Sequence, residues 1–101
     1  MMIVITEKAK KKLGELKTKN IYITLNYIQG PCNDNLCKMI PKIKISLTPE
    51  NGNYVPLYEK DFNVYSHKLL AESIFKHNDN IVIDYSTLKR SFVVKGITYS
   101  F

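Results

Sequence analysis

The sequence predicts an α+β fold: a mixed, mainly antiparallel sheet with two short helices. Several short segments alternate apolar and polar residues with the period of two of a β-strand, whereas residues 7–17 and 66–76 space their apolar residues as a helix does. Successive strands with helices set apart from them are typical of α+β proteins. The length of 101 residues is that of one ordinary domain, so residues 1–101 are expected to form a single domain.

The first elements are a short strand at residues 3–5 and an amphipathic helix at residues 7–17. Thr6 precedes the helix and is a suitable N-cap, because its hydroxyl can accept a hydrogen bond from a free backbone N–H. One helix face carries apolar residues at helical spacing: Ala9, Leu13 and Leu16. Residues 1–20 contain six lysines and two glutamates, so most of the formal net charge of +6 belongs to the other faces of this helix.

The middle of the chain predicts most of the sheet. The strand at residues 21–28 places an apolar row against the core: Ile21, Ile23, Leu25 and Tyr27. A second strand at residues 42–47 follows a loop at residues 30–41. A proline and an Asn-Gly pair then predict a turn before a strand at residues 54–58. Pro56 has no N–H to donate, so this strand is expected to lie at a sheet edge or to be irregular.

The last third adds a short strand, a helix capped by Ser66 that runs to about Lys76, and two strands at residues 81–85 and 91–95. The apolar stripe of this second helix is expected to comprise Leu69, Leu70, Ile74 and Phe75. Gly96 permits a bend after the last strand.

The charge and hydropathy patterns restrict the partners. No apolar run approaches the roughly 20 residues that a membrane-spanning helix needs, and no secretory signal begins the chain, so a cytoplasmic protein without a membrane partner is expected. Residues 1–20 contain no arginine, whose guanidinium binds phosphate and guanine bidentately, and this argues against nucleic acid. A positive field can still steer an acidic protein partner.

Both cysteines of the chain, Cys32 and Cys37, fall in the predicted loop. Their spacing puts them within reach of each other, as a disulfide or as two ligands of one metal ion such as iron or zinc. Free cysteines also serve as small buried hydrophobes or as a catalytic thiol, and the adjacent Lys38 favours the thiolate. No motif of a hydrolase, nucleotide-binding loop or carboxylate pair is present, and we expect no enzyme.

A metal site within one chain needs further donors. His67 and His77 are too widely spaced for the usual pair of zinc histidines, and are expected at the two ends of the second helix. Two copies of the loop in a symmetric homodimer would supply four thiolates, enough for a tetrahedral metal ion or a small iron–sulfur cluster.

A series of motifs runs along nearly the whole chain: Ile3-Val4-Ile5-Thr6 before a helix with Ala9-Lys10 and Leu13, then Gly30-Pro31-Cys32, Asn63-Val64-Tyr65-Ser66, Ile81-Val82-Ile83-Asp84-Tyr85, and a closing strand that ends in Gly96. This series resembles the HesB-like proteins, the A-type iron–sulfur carriers. The resemblance implies a HesB-like domain, whose sheet is a half-barrel, in which Cys32 matches the family's first ligand. The family's other two ligands form a Cys-Gly-Cys near the C-terminus, where Gly96-Ile97-Thr98-Tyr99-Ser100 contains no thiol.

Two functions are therefore expected. The first is binding of an iron–sulfur cluster, iron or zinc, or accessory thiol-redox chemistry, with Cys32 and Cys37 as the ligands or the redox pair. The second is a binding module that has lost the cluster and uses its lysine-rich helix to engage an acidic partner or nucleic acid.

Overall fold

The computed structural model describes residues 2–33, 36–50 and 52–98, and within residues 31–38 it describes backbone alone. These ranges form two helices and seven strands, which confirms the α+β class. In chain order the elements are β1 (Met2–Ile5), α1 (Glu7–Glu15), β2 (Asn20–Asn33), β3 (Leu36–Ser46), β4 (Tyr54–Glu59), β5 (Asn63–His67), α2 (Lys68–His77), β6 (Asn80–Ser86) and β7 (Ser91–Lys95).

The strands form two sheets. One sheet has the order β1-β6-β7 and the other has the order β3-β2-β5-β4. Most strand pairs are antiparallel, whereas β1 pairs with β6, and β2 with β5, in parallel. No closed barrel forms in the described ranges, because β3 and β7 each end a sheet and do not pair with each other. The predicted edge position of Pro56 is confirmed, since β4 ends its sheet and its pairing with β5 is irregular after Pro56.

The core lies between the helices and the inner faces of both sheets. The largest side chains that are fully buried in it are Leu13, Ile21, Ile23, Val64, Leu70, Ile74, Ile81 and Ile83. The predicted apolar row on β2 is confirmed as far as Leu25, but Tyr27 is 40% exposed. The reason is the length of β5, which pairs with Asn20–Ile23 alone and leaves the rest of β2 beyond the core.

Helix α1 begins as the sequence predicts and ends earlier. The Thr6 hydroxyl accepts a hydrogen bond from the Ala9 N–H at 3.3 Å, so Thr6 is the N-cap. The helix ends at Glu15 rather than Lys17, which has a positive φ of 56°. Leu16 is therefore the C-cap, half-exposed, and does not belong to the buried face.

Helix α2 is capped by His67 rather than by Ser66. Ser66 is buried in β5, and the Nδ1 atom of His67 accepts a hydrogen bond from the Leu69 N–H at 3.2 Å. Asn78 in the left-handed conformation ends the helix where the sequence predicts. Within the described ranges, no helix is long and apolar enough to cross a membrane.

The apolar stripe of α2 is narrower than predicted. Leu70 and Ile74 are fully buried, but Leu69 and Phe75 are about half-exposed. Residues one position from a buried residue lie about 100° around a helix, so a sequence run of neighbouring apolar residues overstates the buried face.

The predicted loop at residues 30–41 is wrong, because residues 30–33 and 36–41 are strand. β2 continues to Asn33 and β3 starts at Leu36, so the antiparallel ladder extends past the core as a two-stranded arm, residues 26–33 and 36–41. Pro41 lies opposite Tyr27 in this ladder. A strand with one open edge tolerates proline, because the N–H groups on the open side make no hydrogen bond to a neighbouring strand.

Candidate functional site

The arm brings the two cysteines into register. Cys32 on β2 lies directly opposite Cys37 on β3, just after an irregularity that follows Gln29. Directly opposite residues of an antiparallel pair have Cα atoms about 4.5–5.5 Å apart, which falls within the range that a disulfide spans. The side chains of both residues lie outside the described part of the structure, as does that of Lys38. The backbone thus supports proximity, and the metal-ligand prediction stays a prediction.

The histidines lie at the ends of α2, as predicted. His67 caps the N-terminus, and the Nδ1 atom of His77 lies 2.9 Å from the Ser73 carbonyl oxygen in the last turn. Among the described residues, no three His, Cys, Asp or Glu side chains gather into a possible metal site. Two thiols in one chain fall short of the four ligands of a tetrahedral site or cluster, so a single copy does not fit the group that the HesB-like resemblance implies.

The structure describes a lysine-lined cleft of about 940 Å³. One wall is β3 from Lys42 to Ile45, and the other is the hairpin of β6 and β7 from Asp84 to Lys95. Five lysines line the cleft: Lys8, Lys42, Lys44, Lys89 and Lys95. Asp84 is the one carboxylate in its described lining. An open cleft of this size and charge is suited to an anionic ligand.

The sequence predicts the main basic surface on the first helix, but most lysines of the cleft lie outside that helix. Of the lysines on α1, Lys8 alone reaches the described lining. Lys10 and Lys12 lie 3.7 Å and 3.6 Å from glutamates of the same helix, and Lys12 also lies over the Tyr85 ring at 5.4 Å from its centre. The remaining lysines of the cleft come from β3, from β7 and from the turn before β7, where residues far apart in the sequence meet.

Asp84 joins the start of α1 to β6 at the edge of the cleft. Its Oδ1 atom accepts hydrogen bonds from the Thr6 hydroxyl at 2.6 Å and from the Tyr85 N–H at 2.8 Å. These two donors, the hydroxyl foremost, hold the pKa of the Asp84 carboxyl below its usual range, and Lys8 and Lys95 act in the same direction. Asp84 is therefore a fixed negative charge at neutral pH, so a ligand anion must bind around it.

We expect Asp84 to contribute to the loss of folding stability at low pH. A carboxyl with a lowered pKa in the folded state stabilises that state above its unfolded pKa of about 4, and the stabilisation disappears as the pH falls through the folded value. The Asp84→Asn variant should therefore have a lower Tm than wild type at pH 7. Below about pH 4 the difference in Tm between the two proteins should become smaller. Thermal melts between pH 2 and 7 test this, with the exposed Asp61→Asn as control. A constant difference across the whole range would contradict the role of Asp84.

Three tyrosines of the four-stranded sheet pack on one another. Tyr22 stacks on Tyr65 with ring centres 5.1 Å apart, and the rings of Tyr22 and Tyr54 meet edge to face with centres 5.5 Å apart. The Tyr54 hydroxyl is buried without a hydrogen-bond partner in the described structure, and burial raises its pKa. Such ring contacts are typical of aromatic side chains on neighbouring strands of a sheet.

The lysine-lined cleft was not predicted from the sequence, although one signal for it was visible. Lys42 and Lys44 alternate with Ile43 and Ile45, which indicates two lysines on the outer face of one strand. No protein-family model, curated protein or solved structure matches this chain. The resemblance to HesB-like proteins therefore rests on the sequence motifs alone, and the cleft must be interpreted from its own chemistry.

Proposed function

We propose that this chain is a non-catalytic binding module that takes an acidic protein partner in the lysine-lined cleft. The observation that carries the proposal is the meeting of five lysines with one carboxylate in one open cleft. Like charges held in a concave surface add their potentials, which attracts an oppositely charged ligand and accelerates its association. Most of this charge comes from the sheets, so the lysine-rich helix is not the main contact.

The basic residues that line the cleft favour a ligand with carboxylates over a ligand with phosphates. The described lining contains lysine but no arginine. Lysine acts as a compact point charge on a flexible stem, whereas the planar fork of arginine suits bidentate contacts to phosphate. An acidic polypeptide needs no bidentate geometry, because its carboxylates can each approach one ammonium group.

Neutralising the cleft is expected to abolish most of this binding. Lys42→Gln, Lys44→Gln and Lys95→Gln together should weaken the binding of a fluorescent polyglutamate peptide about tenfold, at about 0.5 kcal/mol for each lysine. Fluorescence anisotropy at low and high salt measures the effect, and binding to wild type should itself weaken as salt screens the charges.

The matched control removes the same charge elsewhere. Lys10, Lys11 and Lys17 lie on or just after α1 and do not line the cleft. Their replacement by glutamine should leave the peptide affinity within about twofold, because none of the three lines the cleft and salt screens exposed charges. Equal losses in both triple variants would assign the binding to overall charge and refute the cleft as the site.

A second candidate function is metal or iron–sulfur binding at the cysteines, as in a divergent HesB-like protein. The observation that favours it is the backbone register, which places Cys32 directly opposite Cys37 in the arm. Because one chain supplies two ligands, this function requires a homodimer in which two arms contribute four.

Anaerobic reconstitution with iron and sulfide tests the second candidate. We expect visible absorbance and iron in a dimeric fraction of the wild type, and neither in the Cys32→Ser, Cys37→Ser double variant. Elemental analysis and thiol counting on freshly purified protein extend the test to zinc. A metal-free protein that stays colourless after reconstitution would refute this function and leave anion binding unaffected.

A further inference from the structure

We infer that the acidic partner also packs an apolar side chain on Leu88, at one end of the lysine-lined cleft. This inference rests on the proposed function and specifies the partner as an acidic segment that contains an apolar residue. Leu88 belongs to the lining of the cleft and lies in the turn between β6 and β7, next to Lys89 in the chain. Apolar surface and positive charge thus occur together in the cleft.

Leu88 contributes almost nothing to the core of the protein. It is 97% exposed, and among the described residues the next most exposed large apolar residue is Met2 at 63%. Turns commonly contain Gly, Pro, Asn, Asp or Ser, because these residues supply the required dihedrals or local hydrogen bonds, and leucine supplies neither. The apolar surface of Leu88 therefore leaves water when another molecule covers it, and that burial stabilises the complex.

A second apolar residue lies on the same face of the sheet as charged residues of the cleft. Val93 is directly opposite Asp84 in the antiparallel pair of β6 and β7, and Lys95 follows it two residues later. Residues that are directly opposite or two apart share one face of a sheet, so Val93 shares a face with both. Phe92 lies on the other face and packs against the core. Val93 is partly buried and lines the cleft, so it gives a ligand a second apolar contact beside Leu88.

The ligand lies over the two walls of the cleft and spans a length typical of a peptide segment. β3 and β7 approach each other with Cα atoms within 8 Å, so the ligand does not enter between the two strands. Leu88 precedes β7, and Lys95 is the last of the five residues of β7, which extend over about 17 Å. A peptide segment can contact both ends at once, whereas a small dicarboxylate cannot.

The concave shape favours a polypeptide over a lipid membrane. A basic surface with an exposed leucine can also bind anionic lipids. A bilayer is locally flat, however, so it meets the rim of a cleft rather than its interior, and a single leucine inserts less apolar area than the one myristoyl chain that binds membranes only marginally. A polypeptide segment can bring carboxylates to lysines on both walls, such as Lys44 on β3 and Lys95 on β7.

Two peptides and two variants test the inference in one double-mutant cycle. Both peptides are short, capped and fluorescent, and they contain the same number of glutamates. One peptide has leucines between its glutamates, and the other has alanines in their place. The variants are Leu88→Ala in the cleft and Met2→Ala, which does not belong to the described lining. Both side chains are exposed, so both variants should keep the wild-type Tm.

Wild type should bind the leucine peptide about fivefold more tightly than the alanine peptide, because leucine covers more of the apolar surface of Leu88 and Val93. The Leu88→Ala variant should reduce this preference to about twofold or less, whereas the Met2→Ala variant should retain it. The alanine peptide should bind wild type and Leu88→Ala within about twofold, because Leu88 carries no charge. Fluorescence anisotropy at one fixed salt concentration measures all of these affinities.

The outcomes that overturn the inference differ from those that overturn the proposed function. If both peptides bind wild type equally, or if Leu88→Ala keeps the full preference for leucine, the apolar contact is wrong while anion binding stands. If wild type lacks the preference but sediments with phosphatidylserine vesicles more than Leu88→Ala does, Leu88 binds a membrane instead. If neither peptide nor polyglutamate binds, both proposals fail.

Discussion

Replacing Gly96 with alanine should lower the free energy of unfolding by about 3 kcal/mol or more, enough to unfold a large part of the population of a marginally stable domain. Gly96 follows β7 with a φ of +92°, a conformation that L side chains rarely adopt. A Cβ atom built on it would lie 2.0 Å from the Asn80 carbonyl oxygen, which is backbone and cannot rotate aside. The sheet must therefore deform or the chain must leave it.

Chemical denaturation of the Gly96→Ala variant measures the loss of unfolding free energy. A second glycine supplies a control, because its replacement should raise the unfolding free energy instead. Gly14 lies within α1, and a Cβ atom there would meet nothing within 4 Å. Gly14→Ala should therefore stabilise the protein by about 0.5–1 kcal/mol, because alanine restricts the unfolded chain and favours helix. If Gly96→Ala were as stable as wild type, β7 would not leave the sheet where the structure places its end.

Ile83→Ala should cost about 2–5 kcal/mol of unfolding free energy. Ile83 is fully buried on the central strand of the three-stranded sheet, opposite Ile5 on one side and Val94 on the other. Its carbonyl also accepts a hydrogen bond from the Thr6 N–H at 2.9 Å, which ties the start of α1 to the sheet. Truncating its side chain leaves a cavity at the point where β1, β7 and α1 meet.

The control for this cavity is Val4→Ala on the neighbouring strand. Val4 is 45% exposed, so its truncation should change the unfolding free energy by about 1 kcal/mol or less. Denaturation midpoints at an unchanged m-value give the two losses. Equal effects at the two positions would show that β1 and β6 do not bury the faces seen in the structure.

The parts of the fold that the sequence predicts are those fixed by local pattern. Ile21 and Ile23, and Ile81 and Ile83, alternate with polar or half-buried residues, and both strands lie on the core as expected. Thr6 likewise caps α1, because a hydroxyl one residue before a helical pattern can accept a hydrogen bond from a backbone N–H of the first turn. Such features depend on a few neighbouring residues and need no knowledge of the remaining chain.

The arm shows where local pattern is insufficient. Gly30 and Pro41 indicate a loop when they are read alone, yet both lie in strands. Tyr27 continues the apolar alternation but is exposed, since β5 is too short to continue the sheet beside it. The relative lengths of strands that pair across the fold decided both outcomes, and no short segment contains that information.

The cleft could not be predicted for a related reason. Its lysines come from α1, β3, β7 and the turn before β7, and they meet because β3 and β7 each end a sheet. The sequence shows each lysine as an ordinary exposed residue. The pairing of Cys32 with Cys37, by contrast, lies within one hairpin, and their proximity followed from their spacing.

The parallel pairing of β1 with β6 has a consequence for synthesis of the protein. Residues 2–5 find their partners at residues 80–83, so the three-stranded sheet cannot start to assemble until most of the chain has left the ribosome. At about 5–20 residues per second, that delay is several seconds. The hairpin of β2 and β3 can form long before, and the buried face of α1 stays uncovered by β6 during the wait. The apolar face of α1 is thus accessible to chaperones and to aggregation until β6 has been made.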